Sequence, residues 1–490
     1  MVSMKRMIAA ALAASLLLSV APAANAQKYN AAKDKTVQKI IEIGQNDNTT
    51  MEIEDFIANR IGGRIVGSDA LQHAEKWVAQ QFKSWGLEVM VQEVGEINVG
   101  FNRGPWFGRM LGEGDMALHF ATPSYTAGTK GPQKGHVVVE PKTQREFDRI
   151  KGLIKGAWVL VGGKSNGFPV SAQTKDADGN ILVPFFDEMV KAGALGFIQS
   201  SDVPMRILYD RAHCYDITMD NLPTVCDIKL DSEQYDIIYK KAKERRDFLL
   251  EFDIRNYFYE GPVKYHNVIG IIRGSKYPNE YVLTGGHLDA FDGATGAIDD
   301  AQGTAVTMES ARLIALSGAK PLRTMMFCIW TAEEYGLLGS KFFVESGVAP
   351  MGKISNYFNR DGGPEVAVSV TVPPAMYDDF VNISAPLKDL NPDFPFTVNK
   401  NENEPRPRPT TAGGSDHAYF AMNGVPTISL DLRDVKGYGF DYGEIWHSER
   451  DMFNKAIPEY LEHSAIVNAV MVYGLANLDH ILDRTGLYAD

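Results

Sequence analysis

The stretch that most limits what this chain can become is RTMMFCIW (Arg323–Trp330), apolar from Met325 onward with no alternation of polar and apolar positions. A strand with one wet face alternates. An unbroken run belongs in a sheet covered on both faces, the setting of parallel strands flanked by helices. The neighbourhood agrees. His266–Gly274, Tyr281–Gly286, Lys353–Asn359 and Val425–Leu430 read as further strands. Ala301–Leu316 carries helical spacing stopped by Gly318 and Pro321, Thr331–Glu334 leads into a helix through about Glu345, Ser415–Met422 reads as a short helix, and Glu459–Leu482 reads as a long amphipathic helix. Strands alternating with helices predict an α/β layered domain.

Other parts of the chain have a different texture. Thr36–Arg60 reads as helix, followed by the glycine-rich loop IGGRIVGS (Ile61–Ser68). Ala70, Ala74, Trp77, Val78 and Phe82 then recur at helical spacing, with Gly86 as C-cap and Leu87–Val99 as strand. Between residues 112 and 258, short strands (His136–Glu140, Ala157–Val161, Leu195–Gln199, Thr224–Ile228) alternate with Gly and Pro turns around one helix, Phe185–Ala192. His136, His213 and Cys214 form no ligand cluster there and read as structural or surface residues. The expected division is 27–111 and 259–490 for the layered domain, with 112–258 as a β-rich insert. A chain of 490 residues exceeds what one core usually serves.

The N-terminus has a basic start (Lys5, Arg6), an apolar run Met7–Val20 and the small residues Ala24-Asn25-Ala26. This is the pattern of a cleaved secretory leader over residues 1–26, with Gln27 as mature start and a secreted or periplasmic product. The apolar run is short for a bilayer span. Losing Lys5 and Arg6 takes the formal charge from −13 to about −15, which disfavours nucleic acid and anionic membranes as partners. Of three cysteines, Cys214 and Cys226 are open to pairing in an oxidising compartment, while Cys328 sits inside the apolar strand.

The chemistry gathers where strands end. His287 and Asp289 follow the first strand, Glu333 and Glu334 the second, and Asp361 the third. Open α/β sheets bind ligands outside the carboxyl ends of their strands, so these segments converge on one crevice. Asp299 and Asp300 lie just downstream of the first, and His447 can bring a second imidazole from a late loop. Carboxylates with imidazoles and no thiolate suit Zn²⁺, Mn²⁺ or Co²⁺.

These residues, in this order, resemble the M28 family of di-zinc exopeptidases. The matching pieces are GGHLDA (Gly285–Ala290), IDDAQG (Ile298–Gly303), WTAEEYGLLGS (Trp330–Ser340), NRDGG (Asn359–Gly363), GGSDHAYF (Gly413–Phe420) and WHSERD (Trp446–Asp451). GAWVLVGGKS (Gly156–Ser165) and KAGALGFIQSSD (Lys191–Asp202) resemble a protease-associated domain. The resemblance spans nearly the whole mature chain and implies a mixed, mostly parallel sheet sandwiched by helices, carrying that domain as an insert. It also implies two zinc ions. Asp299 would bridge them, with His287 and Asp361 on one and Glu334 and His447 on the other; spacing alone does not separate Asp299 from Asp300. Asp289 would accept the other ring N–H of His287. Glu333 would be the general base that takes a proton from a metal-bridging water. Ser415, Asp416 and His417 would lie beside the crevice and contact substrate; alternatively Ser415 and Asp416 cap a helix. Arg406 and Arg408 would meet a substrate carboxylate or stand as solvated loop charges.

The implied activity is an aminopeptidase acting on peptides or dipeptides. A carboxypeptidase Q-like dipeptidase is the alternative within the same chemistry; the insert and FNRGPW (Phe101–Trp106) resemble both such dipeptidases and bacterial aminopeptidases with the same insert. A glutaminyl cyclase shares the fold but generally lacks such an insert. A binding protein of the same fold would have substituted ligands, whereas all the implied ligands and Glu333 stand here.

Overall fold

Strand β10, Arg323–Trp330, is buried at every position. Met325, Phe327 and Ile329 enter one core, while Met326, Cys328 and Trp330 enter another on the opposite face. That double burial is why the sequence does not alternate. The computed structural model describes residues 29–489 apart from 113 and 210. The expected leader and its cleavage site lie outside the described residues.

In chain order the strands are β1 (Glu88–Gly112), β2 (Met116–Ala117), β3 (Phe120–Ala121), β4 (Gln133–Val139), β5 (Ala157–Lys164), β6 (Gly196–Ser201) and β7 (Cys226–Asp231). They continue as β8 (Phe248–Ile272), β9 (Tyr277–His287), β10, β11 (Ile354–Asn359), β12 (Val366–Val372), β13 (Thr397–Lys400) and β14 (Leu430–Arg433). One mixed sheet runs β11-β9-β10-β8-β4-β5-β6-β7-β3, with β1 also on β8. β9 pairs parallel with β10 and β11, and β4 through β7 pair parallel in succession. A second sheet joins β13, β12 and β14.

The link between the two textures of sequence is a long antiparallel ribbon of β1 and β8. The C-terminal end of β8 pairs with β10 in the layered domain, and its N-terminal end pairs with β4. Residue 258 therefore sits inside a continuous strand. Gly95, Gly100 and Gly108 face Tyr265, Tyr259 and Phe252 across the ribbon, and a Cβ on Gly100 would lie 2.0 Å from the Tyr259 ring. The glycines leave room for aromatic rings to lie across the strand.

Helices Gln302–Leu316 and Pro458–Ala476 cover one face of the layered domain, and Leu338–Ser346 with His417–Met422 cover the other. Four local expectations need correction. The span Thr36–Arg60 is broken near Asp47, with helices Lys35–Asn46 and Thr50–Asp55 on either side. The helix after β10 starts at Leu338, so Glu333 and Glu334 lie in the preceding turn. Helix Pro458–Ala476 is buried at nearly every position from Tyr460 rather than amphipathic, because helices Gln302–Leu316, Lys35–Asn46 and Tyr377–Ser384 all pack on it. Residues 425–429 form no strand; the strand there, β14, begins only at Leu430. Pro426 has no N–H to give, and Ile428 exchanges hydrogen bonds with the Asn356 side-chain amide instead of a ladder. No disulfide forms among the described residues; Cys214, Cys226 and Cys328 are buried thiols.

Candidate metal centre

β9 ends at His287, β10 runs into the turn carrying Glu333 and Glu334, and β11 is followed by Asp361. Because β9 and β10 are parallel neighbours, Trp330 lies beside His287 in register and the chemistry collects at one sheet edge. The loop after β9 brings Asp299 back over that edge. His287 Nε2 stands 3.2 Å from Asp299 Oδ1 and 3.8 Å from Asp361 Oδ2. His447 Nε2 stands 3.5 Å from the other Asp299 oxygen and 3.1 Å from Glu334 Oε2. Asp299 thus offers one oxygen to each imidazole.

An oxygen of Asp300 also comes within 4.8 Å of His287 and Asp361 ligand atoms. Its carboxylate, however, accepts the backbone N–H of His287 (3.1 Å) and of Gly303 (3.0 Å), and the Gln302 amide. Asp300 is occupied in fastening the loop, while the Asp299 carboxylate faces the two rings. The two neighbours thus have different partners, although both come near His287.

The partners behind the rings differ from expectation in one respect. His287 Nδ1 is 2.8 Å from the backbone carbonyl of Asp289, and the Asp289 carboxylate is 3.9 Å away. The carboxylate instead accepts the backbone N–H groups of Glu333 and Glu334, each at 3.1 Å. The backbone carbonyl fixes the ring tautomer, while Asp289 holds the turn that carries both glutamates.

Further groups hold this arrangement, and the sequence reading did not single them out. Arg64, fully buried, donates to the carbonyls of Leu288, Thr295 and Gly296 and so pins both ends of the loop between His287 and Asp299. Asp451 accepts from the N–H of Ile298 and Asp299. Both lie in motifs noted above, GGRIVGS and WHSERD, but neither spacing nor composition marked them. The segment Met205–Tyr209 of the insert clasps the loop bearing His447. Ile207 N–H donates to the His447 carbonyl at 3.0 Å, and the Tyr209 hydroxyl donates to the Glu334 carbonyl at 2.5 Å. Ala332 (φ 55°) and His447 (φ 53°) both hold left-handed backbone at the site. Such conformations persist where the surroundings over-determine them.

Electrostatically the site is crowded with acid. Burial lifts the Glu333 carboxyl well above its ordinary value, offset by His287 and reinforced by Glu334 and Asp361. Burial, then Asp299, does the same to Glu334. Burial works against a charged His287 ring, but the carboxylates around it prevail and its pKa rises. His447 is pushed down to about 4 by burial. The buried His287 Nε2 and Glu334 Oε1 have no hydrogen-bond partner. Orphaned ligand atoms among like charges in a dry site fit a bound cation, and the imidazole and carboxylate donors fit zinc.

A cleft of about 390 Å³ opens over this centre, lined by Glu333, Asp361, His447, Tyr442 and Arg211 among others. A second cavity of about 490 Å³ shares Asp361, Tyr442 and Trp446 with it and has an apolar wall of Val306, Phe358, Leu430 and Leu432. Ser415 and His417 line the second cavity, and Ser415 accepts the Asn359 amide at 3.0 Å. Asp416 is fully buried, with burial raising its carboxyl to about 7, and makes no side-chain cap bond to the helix that follows. Neither Arg406 nor Arg408 is among the described residues lining these cavities.

Comparison with known proteins points the same way. Residues 267–472 match the profile of Peptidase family M28. Carboxypeptidase Q of Mus musculus is 24% identical over 92% of this chain and 90% of its own length. Among solved structures, a Peptidase M28 precursor from Shewanella amazonensis aligns with TM-score 0.59 at 20% identity, over 92% of this chain and 98% of that one. A zinc aminopeptidase from Bacillus subtilis aligns with TM-score 0.53 at 16% identity, over 90% and 97%.

Proposed function

The chain belongs to peptidase family M28 and is a metallo-exopeptidase; on that premise we propose that it is a secreted zinc enzyme that hydrolyses the peptide bond next to a free N-terminus. The observation that carries this reading is Asp299, whose two oxygens stand 3.2 Å from His287 and 3.5 Å from His447. His287, Asp361 and Asp299 would hold one ion; His447, Glu334 and the second Asp299 oxygen would hold the other. When bound, zinc supplies Lewis acidity that acidifies a water and polarises the scissile carbonyl.

The protein's own groups do the rest. Glu333 lines the cleft beside these ligands without pairing to an imidazole, and its carboxyl takes a proton from the attacking water and returns it to the leaving nitrogen. Asp289 keeps Glu333 aimed by gripping its N–H. Glu333 is the one carboxylate among the described residues lining the cleft that is not assigned to an ion, and it would also favour a substrate ammonium, with the free N-terminus as the anchoring end. Residues 112–258 act as a protease-associated-like domain that walls the cleft, and residues 1–26 direct export. Among the described residues no helix is long and apolar enough to cross a membrane.

A carboxypeptidase Q-like dipeptidase is the second reading. It is favoured by the similarity to carboxypeptidase Q across 92% of this chain, insert included.

Product analysis by mass spectrometry, on a panel of free, N-blocked and C-blocked peptides and dipeptides with the zinc-loaded mature chain, tests both. Stepwise loss from free N-termini, abolished by N-blocking, is the expected result. Cleavage confined to dipeptides selects the second reading. Loss of ammonia from N-terminal glutamine without cleavage overturns both in favour of a cyclase.

A further inference from the structure

FNRGPW (Phe101–Trp106) lies where the β1–β8 ribbon bulges. Arg103 faces Asn256 and Trp106 faces Ile254, three steps on one strand against two on the other. Gly104 and Pro105 suit the bulge: a Cβ on Gly104 would lie 2.6 Å from the Arg255 carbonyl, and Pro105 has no N–H for the ladder. The extra residue shifts the alternation of faces. Arg103 and Trp106 therefore share one, and the Arg103 guanidinium carbon lies 5.3 Å from the Trp106 ring centroid and 5.7 Å from that of Phe101. That aim brings Arg103 onto the loop of the metal centre. Its Nη2 stands 2.9 Å from Asp292 Oδ1, with both side chains only 5% exposed. The same guanidinium donates to the Thr122 and Ser124 hydroxyls, and the Ser124 hydroxyl donates to the same Asp292 oxygen at 2.5 Å. Arg64 holds the two ends of the loop between His287 and Asp299; Arg103 holds its middle.

The two imidazoles of the centre are held differently. His287 Nδ1 meets the Asp289 carbonyl at 2.8 Å, whereas His447 Nδ1 is buried with no hydrogen-bond partner among the described residues. A metal-binding histidine is ordinarily oriented by a bond to its other ring nitrogen. At His447 packing takes that place: the ring lies between Trp446, at 4.2 Å, and Phe291, at 4.4 Å. Phe291 immediately precedes Asp292. We infer that Arg103 is a positioning residue for the centre: by holding Asp292 it seats the Phe291 ring against His447 and so aims the His447 Nε2. The inference rests on the reading of the site as a two-zinc centre. It assigns the pair an effect on one ion, the one held by His447 and Glu334, and little on the other.

The test measures both zinc dissociation constants of the mature chain by competition with a chelating dye, beside denaturant unfolding of the metal-free protein. Arg103→Met with Asp292→Leu removes the pair without leaving one buried charge alone, a replacement that folding usually tolerates. One zinc constant should rise about 10- to 100-fold, the range for groups that orient metal ligands, while the other constant and the unfolding midpoint stay near wild type. Arg103→Lys should recover part of the loss. Phe291→Leu, which leaves the pair intact, should reproduce the selective rise, and it decides the matter if the double variant does not fold. In a His447→Ala background the same substitutions should change the remaining constant little. Unchanged constants in a folded variant, or equal rises in both that follow lost stability, overturn the inference and leave the two-zinc reading standing. A wild-type chain that binds no zinc overturns both. A selective rise in a chain that cleaves no peptide supports the role of Arg103 and removes the exopeptidase reading alone.

Discussion

At the scale of single residues, the proposed roles separate groups that would hold a cation from the group that would move a proton. Glu333→Gln removes the base without emptying a ligand position, so zinc content should stay at the wild-type level while turnover falls about 10²- to 10⁴-fold. Near wild-type turnover in that variant, with elemental analysis showing full zinc, would remove the role of Glu333. Asp289 belongs to neither class. Its carboxylate accepts two backbone N–H groups, and Asp289→Ala would orphan both in a fully buried place. Each orphan costs about 1–3 kcal/mol, so denaturant unfolding should show a clear loss of stability together with lower activity. A variant as stable as wild type would mean that the turn is held by something else. Most of the residues that meet at the sheet edge were legible because acid and imidazole stand out after apolar strands. The direction of the Asp289 carboxylate was not legible, because a backbone carbonyl two residues on can replace a side chain as ring partner, and sequence does not distinguish them.

At the scale of elements, helix Asp69–Ser84 is pinned to the ribbon by an ion pair that makes a pH-dependent contribution. Glu75 accepts the His266 backbone N–H at 2.7 Å and faces its Nδ1 at 2.9 Å. The bond to Glu75 raises the His266 pKa, with Glu93 adding to it and burial and Lys264 opposing. Burial outweighs the same contact at Glu75, whose carboxyl is also raised. A histidine raised on folding stabilises fully below its unfolded value, about 6.5, and loses that contribution as pH climbs through the folded value. Thermal unfolding of wild type and His266→Gln should therefore differ more at acid than at alkaline pH. A gap that is constant or widens with pH would contradict the assignment. The elements themselves were read correctly where a single face or a double burial decided them, as in β10. Errors came where tertiary contacts took over: helix Pro458–Ala476, covered by other helices, and residues 425–429, held by the Asn356 side chain.

At the scale of the whole molecule, residues 205–209 are joined to the candidate site. Met205–Tyr209 clasps the His447 loop, and the Tyr209 hydroxyl holds the Glu334 carbonyl. Tyr209 is not a ligand, yet Tyr209→Ala should lower zinc retention during dialysis against a chelator, by roughly the 10- to 100-fold in affinity that groups supporting metal ligands contribute. Unchanged zinc retention would mean that the insert serves only as a wall. The β1–β8 ribbon explains how residues 113–247 are carried on one sheet without interrupting it: β8 pairs with β4 at one end and with β10 at the other.

The sequence by itself determined the layered class, the strands of the central sheet and the identity of the acids and imidazoles at their ends. These follow from local patterns, apolar runs and the residue types that break them. Only the tertiary structure decided which carboxylate of a neighbouring pair faces the rings, that Arg64 and Asp451 hold the loop between them, and that Arg211 of the insert reaches the cleft. Those outcomes depend on contacts between segments tens to hundreds of residues apart, where side-chain direction is set by the packed neighbours rather than by the local chain.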